Sequence, residues 1–152
     1  MSKLDVVEAW FRCVEDRDFD AVAQWYAPDA LIWHNDGSTE QTVAENLAVL
    51  GAVTDVVGNL RYDVVRRCEV GDGVFSQHVL RGDLPDGTSI ALDAAMFIRV
   101  VDGRIQRVEE YIDTARAAGL FQALRRRSVE LGPEQPMAQH NPSNYDHNVR
   151  FR

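Results

Sequence analysis

The hydrophobic residues of this chain change their spacing between positions 51 and 59, and this change limits the folds that the chain can adopt. Before it they recur at the spacing of one face of an α-helix. After it they fill strand-length segments that are separated by turn signals. Helices that precede a block of strands are typical of the α+β class, so we predict helices packed on an antiparallel sheet.

Two helices are predicted near the start of the chain. The first covers roughly residues 3–16, with Ser2 as its cap. Its buried face consists of Val6, Val7, Trp10, Phe11 and Val14. The second is short and ends near Ala27, because Pro28 disfavours helical geometry in the residue before it. Its apolar positions are Phe19, Val22, Trp25 and Tyr26.

A short strand and a third helix follow. The strand covers residues 30–33 and leads into an Asp36-Gly37 turn. Ser38-Thr-Glu-Gln41 has the spacing of a capping box, so we expect the helix to begin after it and to end at Gly51. The apolar stripe of this helix is Val43, Leu47 and Leu50.

Four strands and a last helix complete the pattern. The strands are Asn59–Val70, Val74–Leu84, Ser89–Val101 and Arg104–Ile112. The hairpin signals between them are Gly71-Asp-Gly73, Pro85-Asp-Gly87 and Asp102-Gly103. Asp113-Thr114 is predicted to cap the helix, and Gly132-Pro133 to end it. Its buried stripe is Ala117, Leu120, Phe121 and Leu124.

The chain is predicted to form one domain, residues 1–130, followed by a polar tail, residues 131–152. The formal net charge of -8 argues against nucleic acids and anionic membrane surfaces as partners. No signal peptide opens the chain, and no apolar run is long enough to cross a bilayer, so we expect a cytoplasmic protein. Cys13 and Cys68 are interpreted as two buried, reduced thiols.

Two segments resemble known families. Tyr26-Ala-Pro-Asp29-Ala resembles the "YAxDA" segment of ketosteroid isomerases and SnoaL-like polyketide cyclases. Asp102-Gly-Arg-Ile, followed by Glu110-Tyr-Ile-Asp113, resembles the last hairpin of limonene-epoxide-hydrolase-like and SnoaL-like proteins. The resemblance covers residues 3–125. It implies a cone-shaped NTF2-like fold, with three N-terminal helices packed on a curved antiparallel sheet, plus a C-terminal helix and tail.

The resemblance assigns roles to single positions. In ketosteroid isomerases the catalytic base stands five residues after the aspartate of the segment, a position held here by His34. The oxyanion-hole tyrosine falls at Trp10 and its partner aspartic acid at Met96. This implies a pocket whose chemistry differs from that of ketosteroid isomerases.

The epoxide-hydrolase triad falls at Gln77, Val79 and Glu110. A shifted register would instead use Arg81 and Asp83, which stand closer to the hairpin turn.

Side chains alternate between the two faces of a strand, so the assigned positions predict the lining of a cleft. It consists of Ile32, His34, Gln77, Val79, Leu92, Ala94, Met96, Val108, Glu110 and Ile112, with Trp10 and Trp25 closing the other side. The opposite, convex face carries Asp93, Phe97 and Arg99 and is expected to form a homodimer. A mostly apolar cleft with few polar groups is typical of a small-molecule site.

His34 and Glu110 are the candidate catalytic pair. An imidazole can accept a proton near neutral pH, and a carboxyl group in an apolar wall can donate one or can orient the imidazole. Two alternatives remain: His34 is bound only to nearby backbone or to Asp36, or Glu109 rather than Glu110 points inward.

The predicted function is cofactor-free acid–base catalysis on an apolar small molecule. The reaction would be that of an isomerase, a dehydratase, a cyclase or an epoxide-opening enzyme. The alternative is a non-catalytic binding or dimerisation module with the same fold. His140 and His147 are seven residues apart without carboxylates placed to complete a metal site, so no metal is expected.

Overall fold

A computed structural model gives the fold and describes residues 1–130. The elements are α1 (Lys3–Glu15), α2 (Phe19–Trp25), β1 (Tyr26–His34), β2 (Gln41–Thr42), α3 (Val43–Val56), β3 (Gly58–Val70), β4 (Gly73–Asp83), β5 (Ser89–Val101), β6 (Arg104–Ile112) and α4 (Ala118–Glu130). The α+β class is confirmed. The predicted tail, the Gly132-Pro133 stop and both tail histidines lie outside the described residues.

All six strands form one curved sheet in the order β2-β1-β6-β5-β4-β3. The last four strands make the predicted antiparallel meander. The sheet also has one parallel junction, because β1 pairs with β6 in the same direction. β1 is thereby joined to the last strand of the meander, and this junction carries the residues on which the site depends.

The helices cover one face of the sheet, which we call the inner face. On β4 and β5 the even-numbered side chains from Val74 to Ile98 point toward the helices, and the odd-numbered ones lie on the outer face. α1 packs its predicted apolar face there, including Trp10 and Phe11, and its Ser2–Asp5 capping box is formed. Apart from Gly73, the odd-numbered outer positions of these two strands are half-buried or exposed, so the described helices leave that face open.

Three predicted boundaries are wrong for local reasons. The capping box of α3 is formed by Thr42 and Glu45, which have the same spacing as the predicted pair starting at Ser38. α3 continues through Gly51 to Val56, since an interior glycine costs only about 1 kcal/mol and packing outweighs it. Tyr26 begins β1 instead of ending α2.

The α4 cap and one cysteine also differ from the predictions. The Asp113 side chain accepts hydrogen bonds from the backbone N–H groups of Ala115 and Arg116, and it closes a separate turn before α4 begins at Ala118. Cys68 is exposed, because it pairs with Phe75 and faces outward after the bulge in β3. Cys13 is half-buried on α1.

None of the helices between residues 1 and 130 is long and apolar enough to cross a bilayer. The cytoplasmic location stays a prediction.

Candidate active site

A cavity of about 130 Å³ lies between the inner face of the sheet and helices α1, α3 and α4. Its walls are mostly apolar. The predicted residues that line it are Trp10, Ile32, His34, Met96, Val108, Glu110 and Ile112. Two exposed residues, Asp36 and Val49, belong to the lining and mark its opening to solvent. The structure therefore brings seven of the twelve predicted site residues around one space.

The parallel junction between β1 and β6 places His34 directly opposite Glu110. The His34 Nε2 atom lies 3.1 Å from Glu110 Oε2, which is within hydrogen-bonding distance. The two side chains are only 15% and 16% exposed. Met96 pairs with Glu110 from the other side, on β5. An imidazole and a carboxylate thus touch in a largely apolar wall.

The charge environment of His34 favours its protonated form. Burial alone would lower the pKa of His34, but contact with Glu110 and the negative charges of Glu110 and Asp36 outweigh burial, so its pKa is raised above 6.5. The pair can therefore hold or exchange a proton near neutral pH.

A series of hydrogen bonds between polar side chains at the cavity wall was not predicted from the sequence. The Tyr26 hydroxyl donates to Asn46 Oδ1 at 3.1 Å, and Asn46 Nδ2 donates to Gln41 Oε1 at 3.0 Å. Burial raises the pKa of the Tyr26 hydroxyl, so it stays protonated and acts as a donor. A signal for Asn46 was present in the sequence, since it stands three residues after Val43 and four before Leu50 on the inner stripe of α3.

The indole of Trp10 also contributes a polar atom to this region. Trp10 Nε1 is buried and has no hydrogen-bond partner within the described part of the chain. Its ring packs edge-on against Tyr26, with ring centroids 6.1 Å apart. Tyr62 joins the same wall. The Trp10 N–H faces the Tyr26 hydroxyl, and its influence lowers the pKa of that hydroxyl against the larger effect of burial.

The structure corrects the prediction for Gln77 and Val79. Both lie on the outer face, and His78 and Leu80 take the inner positions. The cause is the length of the β4–β5 loop. Asp83 pairs with Ser89 across five loop residues, so even-numbered positions of β4 face even-numbered positions of β5.

Three other predicted lining residues lie away from the cavity. Leu92 is on the inner face but is covered by a second apolar cluster that includes Leu120. Ala94 is buried opposite His78, and its methyl group is too short to reach the cavity. Trp25 packs at the edge of the main core. In residues 1–130, no group of three or more His, Cys, Asp or Glu side chains is placed to hold a metal ion.

Comparison with known proteins gives a family and a fold. The family model described as the SnoaL-like domain matches residues 7–108. No curated protein matches the sequence. An NTF2-like protein from Burkholderia pseudomallei superimposes with a TM-score of 0.69 at 22% identity, covering 82% of this chain and 98% of that one.

Two further structures agree with this fold. An LEH-like epoxide hydrolase from M. tuberculosis has a TM-score of 0.64 at 22% identity, and covers 85% of this chain and 93% of its own. A protein with a ketosteroid isomerase-like fold from Catenulispora acidiphila, in complex with trimethylamine, has a TM-score of 0.63 at 18% identity. That match covers 70% of this chain and 83% of the other. The predicted NTF2-like fold is confirmed.

Proposed function

Since the chain belongs to the family of SnoaL-like domains, we propose that it is a cofactor-free acid–base enzyme that acts on an apolar small molecule. The observation that carries this proposal is the contact between His34 and Glu110 in the wall of the cavity, 3.1 Å apart. Titratable pairs with a perturbed pKa in a cleft are frequent at active sites, whereas a pure association domain has no need of one.

In the proposed mechanism His34 is the base. Its Nε2 atom faces Glu110, so the other ring nitrogen, Nδ1, accepts the proton from a C–H bond or from water. The Glu110 carboxylate orients the ring and stabilises the imidazolium that forms. His34 later returns the proton at a second position of the substrate. This sequence serves isomerisation, dehydration and aldol cyclisation, and activation of water serves epoxide opening.

The cavity indicates the class of substrate. The charged groups in its described lining are two carboxylates, Asp36 and Glu110, together with His34, and this part of the lining contains no lysine or arginine. A carboxylate or phosphate substrate would therefore be repelled. Hydrogen-bond donors in the wall, such as the side-chain amide of Gln41, suit a carbonyl or epoxide oxygen. We infer a mostly apolar molecule without negative charge that carries one polar oxygen, and the complex of the Catenulispora protein with trimethylamine supports a small ligand.

Exchange of hydrogen for deuterium tests the proposed base without knowledge of the natural substrate. Cyclopentanone in D2O is followed by ¹H NMR with the wild-type protein, with His34→Ala, and with Gln24→Ala as an exposed control on α2. Loss of a general base reduces the rate about 10²–10⁴-fold, and the control should match wild type. Equal exchange in wild type and His34→Ala would refute the base. Binding of the ketone without exchange would favour the non-catalytic binding module.

We also propose a homodimer through the outer face of the sheet. Phe75, Ala95 and Phe97 form a half-buried apolar strip there that no described helix covers. The Arg99–Asp72 and Arg116–Asp93 ion pairs border it. Ala95→Arg places a charge in the middle of this strip and should convert a dimer into a monomer by light scattering, whereas Gln24→Ala should leave the mass unchanged. A monomeric wild type would refute this interface.

A further inference from the structure

We propose that Asn35 is a positioning residue that holds His34 against Glu110. This inference rests on the proposed function only for its catalytic meaning, because the geometry itself can be tested without any reaction. Asn35 follows the last residue of β1 and is exposed. It lies next to the candidate base but does not line the cavity.

The side-chain amide of Asn35 makes the hydrogen bonds to Ile112 that the backbone of a neighbouring strand would otherwise make. Its Oδ1 atom accepts a hydrogen bond from the Ile112 backbone N–H at 2.9 Å. Its Nδ2 atom donates to the Ile112 carbonyl oxygen at 3.2 Å. A neighbouring strand would offer the same donor and acceptor. The side-chain amide therefore extends the pairing between the chain ends of β1 and β6 beyond His34.

The backbone of Asn35 completes this clamp. Its N–H donates to the carbonyl oxygen of Glu110 at 3.1 Å. Together, the three hydrogen bonds hold the end of β1 to the backbone of Glu110 and Ile112 on β6. His34 precedes the clamp directly, so its own backbone is held at the register that pairs it with Glu110.

Without the clamp, the end of β1 would have little to hold it. The chain turns away at once through Asp36 and Gly37, where a positive φ of 83° and a bond from the Ser38 N–H to Asp36 Oδ1 form the bend. Strand ends next to such turns fray readily. An asparagine supplies a donor and an acceptor on one short side chain, whereas an aspartate would direct a second acceptor at the Ile112 carbonyl.

The pKa of His34, measured by NMR titration of its ring protons, is the readout for this role. Asn35→Ala and the similarly shaped Asn35→Leu remove the side-chain bonds. Each should lower the pKa of His34 toward the value found in Glu110→Gln, because contact with Glu110 is what raises it. Asp36, the other charged group acting on His34, remains in place in both variants. Ser38→Ala, in the same turn, serves as the control and should leave the titration unchanged.

A second readout is the pH profile of ketone exchange, whose rise with pH should shift to lower pH by the same amount as the titration. If both Asn35 variants are folded and titrate as wild type while Glu110→Gln does not, the positioning role is refuted and the catalytic proposal stands. If Glu110→Gln itself leaves the titration of His34 unchanged, contact with Glu110 does not raise the pKa of His34, and both the catalytic pair and the positioning role of Asn35 are refuted. If the titrations shift as expected but no variant affects exchange, Asn35 positions a pair that is not catalytic.

Discussion

His78 should make the protein less stable in acid, and His78→Leu should remove this dependence. The imidazole is 1% exposed, and neither ring nitrogen has a hydrogen-bond partner among the described residues. It packs edge-on against Phe11 and Tyr62, with ring centroids 5.3 and 5.2 Å away. Burial lowers the pKa of His78 below 6.5, the charge of Glu110 opposes this, and the charge of Arg67 adds to it.

The direction and size of the effect follow from proton linkage. Between the lowered pKa of the folded state and 6.5, the unfolded chain binds up to one proton more than the folded protein. The free energy of unfolding therefore falls with decreasing pH in this window, by up to about 1.4 kcal/mol per pH unit. His34 has a raised pKa and contributes with the opposite sign, so its stabilisation is lost as pH rises through its folded-state pKa. The His34 contribution is present in both wild type and His78→Leu, so it cancels in the difference between their free energies of unfolding.

Urea denaturation of wild type and His78→Leu at half-unit steps from pH 5 to pH 8 measures the effect. At pH 8 the variant should be as stable as wild type or more so, by about 1 kcal/mol, since it removes two unpaired polar atoms from an apolar site. Below pH 6.5 the wild type should lose stability relative to the variant. Two curves with a constant separation across the whole range would refute the reasoning, because His78 would then titrate equally in the folded and unfolded states.

Three other outcomes are expected. Glu110→Gln should lower the pKa of His34, since burial is then opposed only by Asp36, and should move the rising limb of the exchange profile to lower pH; an unmoved limb would exclude His34 as the titrating base. Gln41→Leu should weaken cyclopentanone binding by about 0.5–1.5 kcal/mol in an NMR titration but leave cyclopentane binding unchanged, whereas equal losses would mean that only packing was affected. Thr42→Ala removes the α3 capping box and should lower the free energy of unfolding by about 1 kcal/mol, with Ser38→Ala, the cap predicted from sequence, showing no such loss.

The sequence allowed the fold to be predicted because its signals are local. Hydrophobic spacing located the helices, and turn residues located all four strands of the meander. Glu110 was placed on the inner face because β6 alternates regularly. The parallel junction could not be predicted in this way, since β1 reaches β6 across most of the domain and no local pattern records that pairing.

Errors in the predicted site arose where a shift of one residue along a strand moves a side chain to the other face of the sheet. The epoxide-hydrolase resemblance placed Gln77 and Val79 inward, whereas the pairing of Asp83 with Ser89 across a five-residue loop turns His78 and Leu80 inward. Asn35 gave no signal at all, because a clamp to Ile112 depends on the position of a strand from the other end of the domain. Tyr26 was recognised as part of a family segment, but its role as a donor to Asn46 required the packing of α3 on β1.

The junction of β1 with β6 has a consequence for folding. The meander can form from hairpins between neighbouring strands, and each closes a short loop. β1 must instead be added across a long stretch of chain, at a higher entropic cost, so we expect it to dock late. The contact between His34 and Glu110 exists only after that step. The site is thus absent from a partly folded chain, and it forms only when β1 has paired with β6 and closed the sheet order.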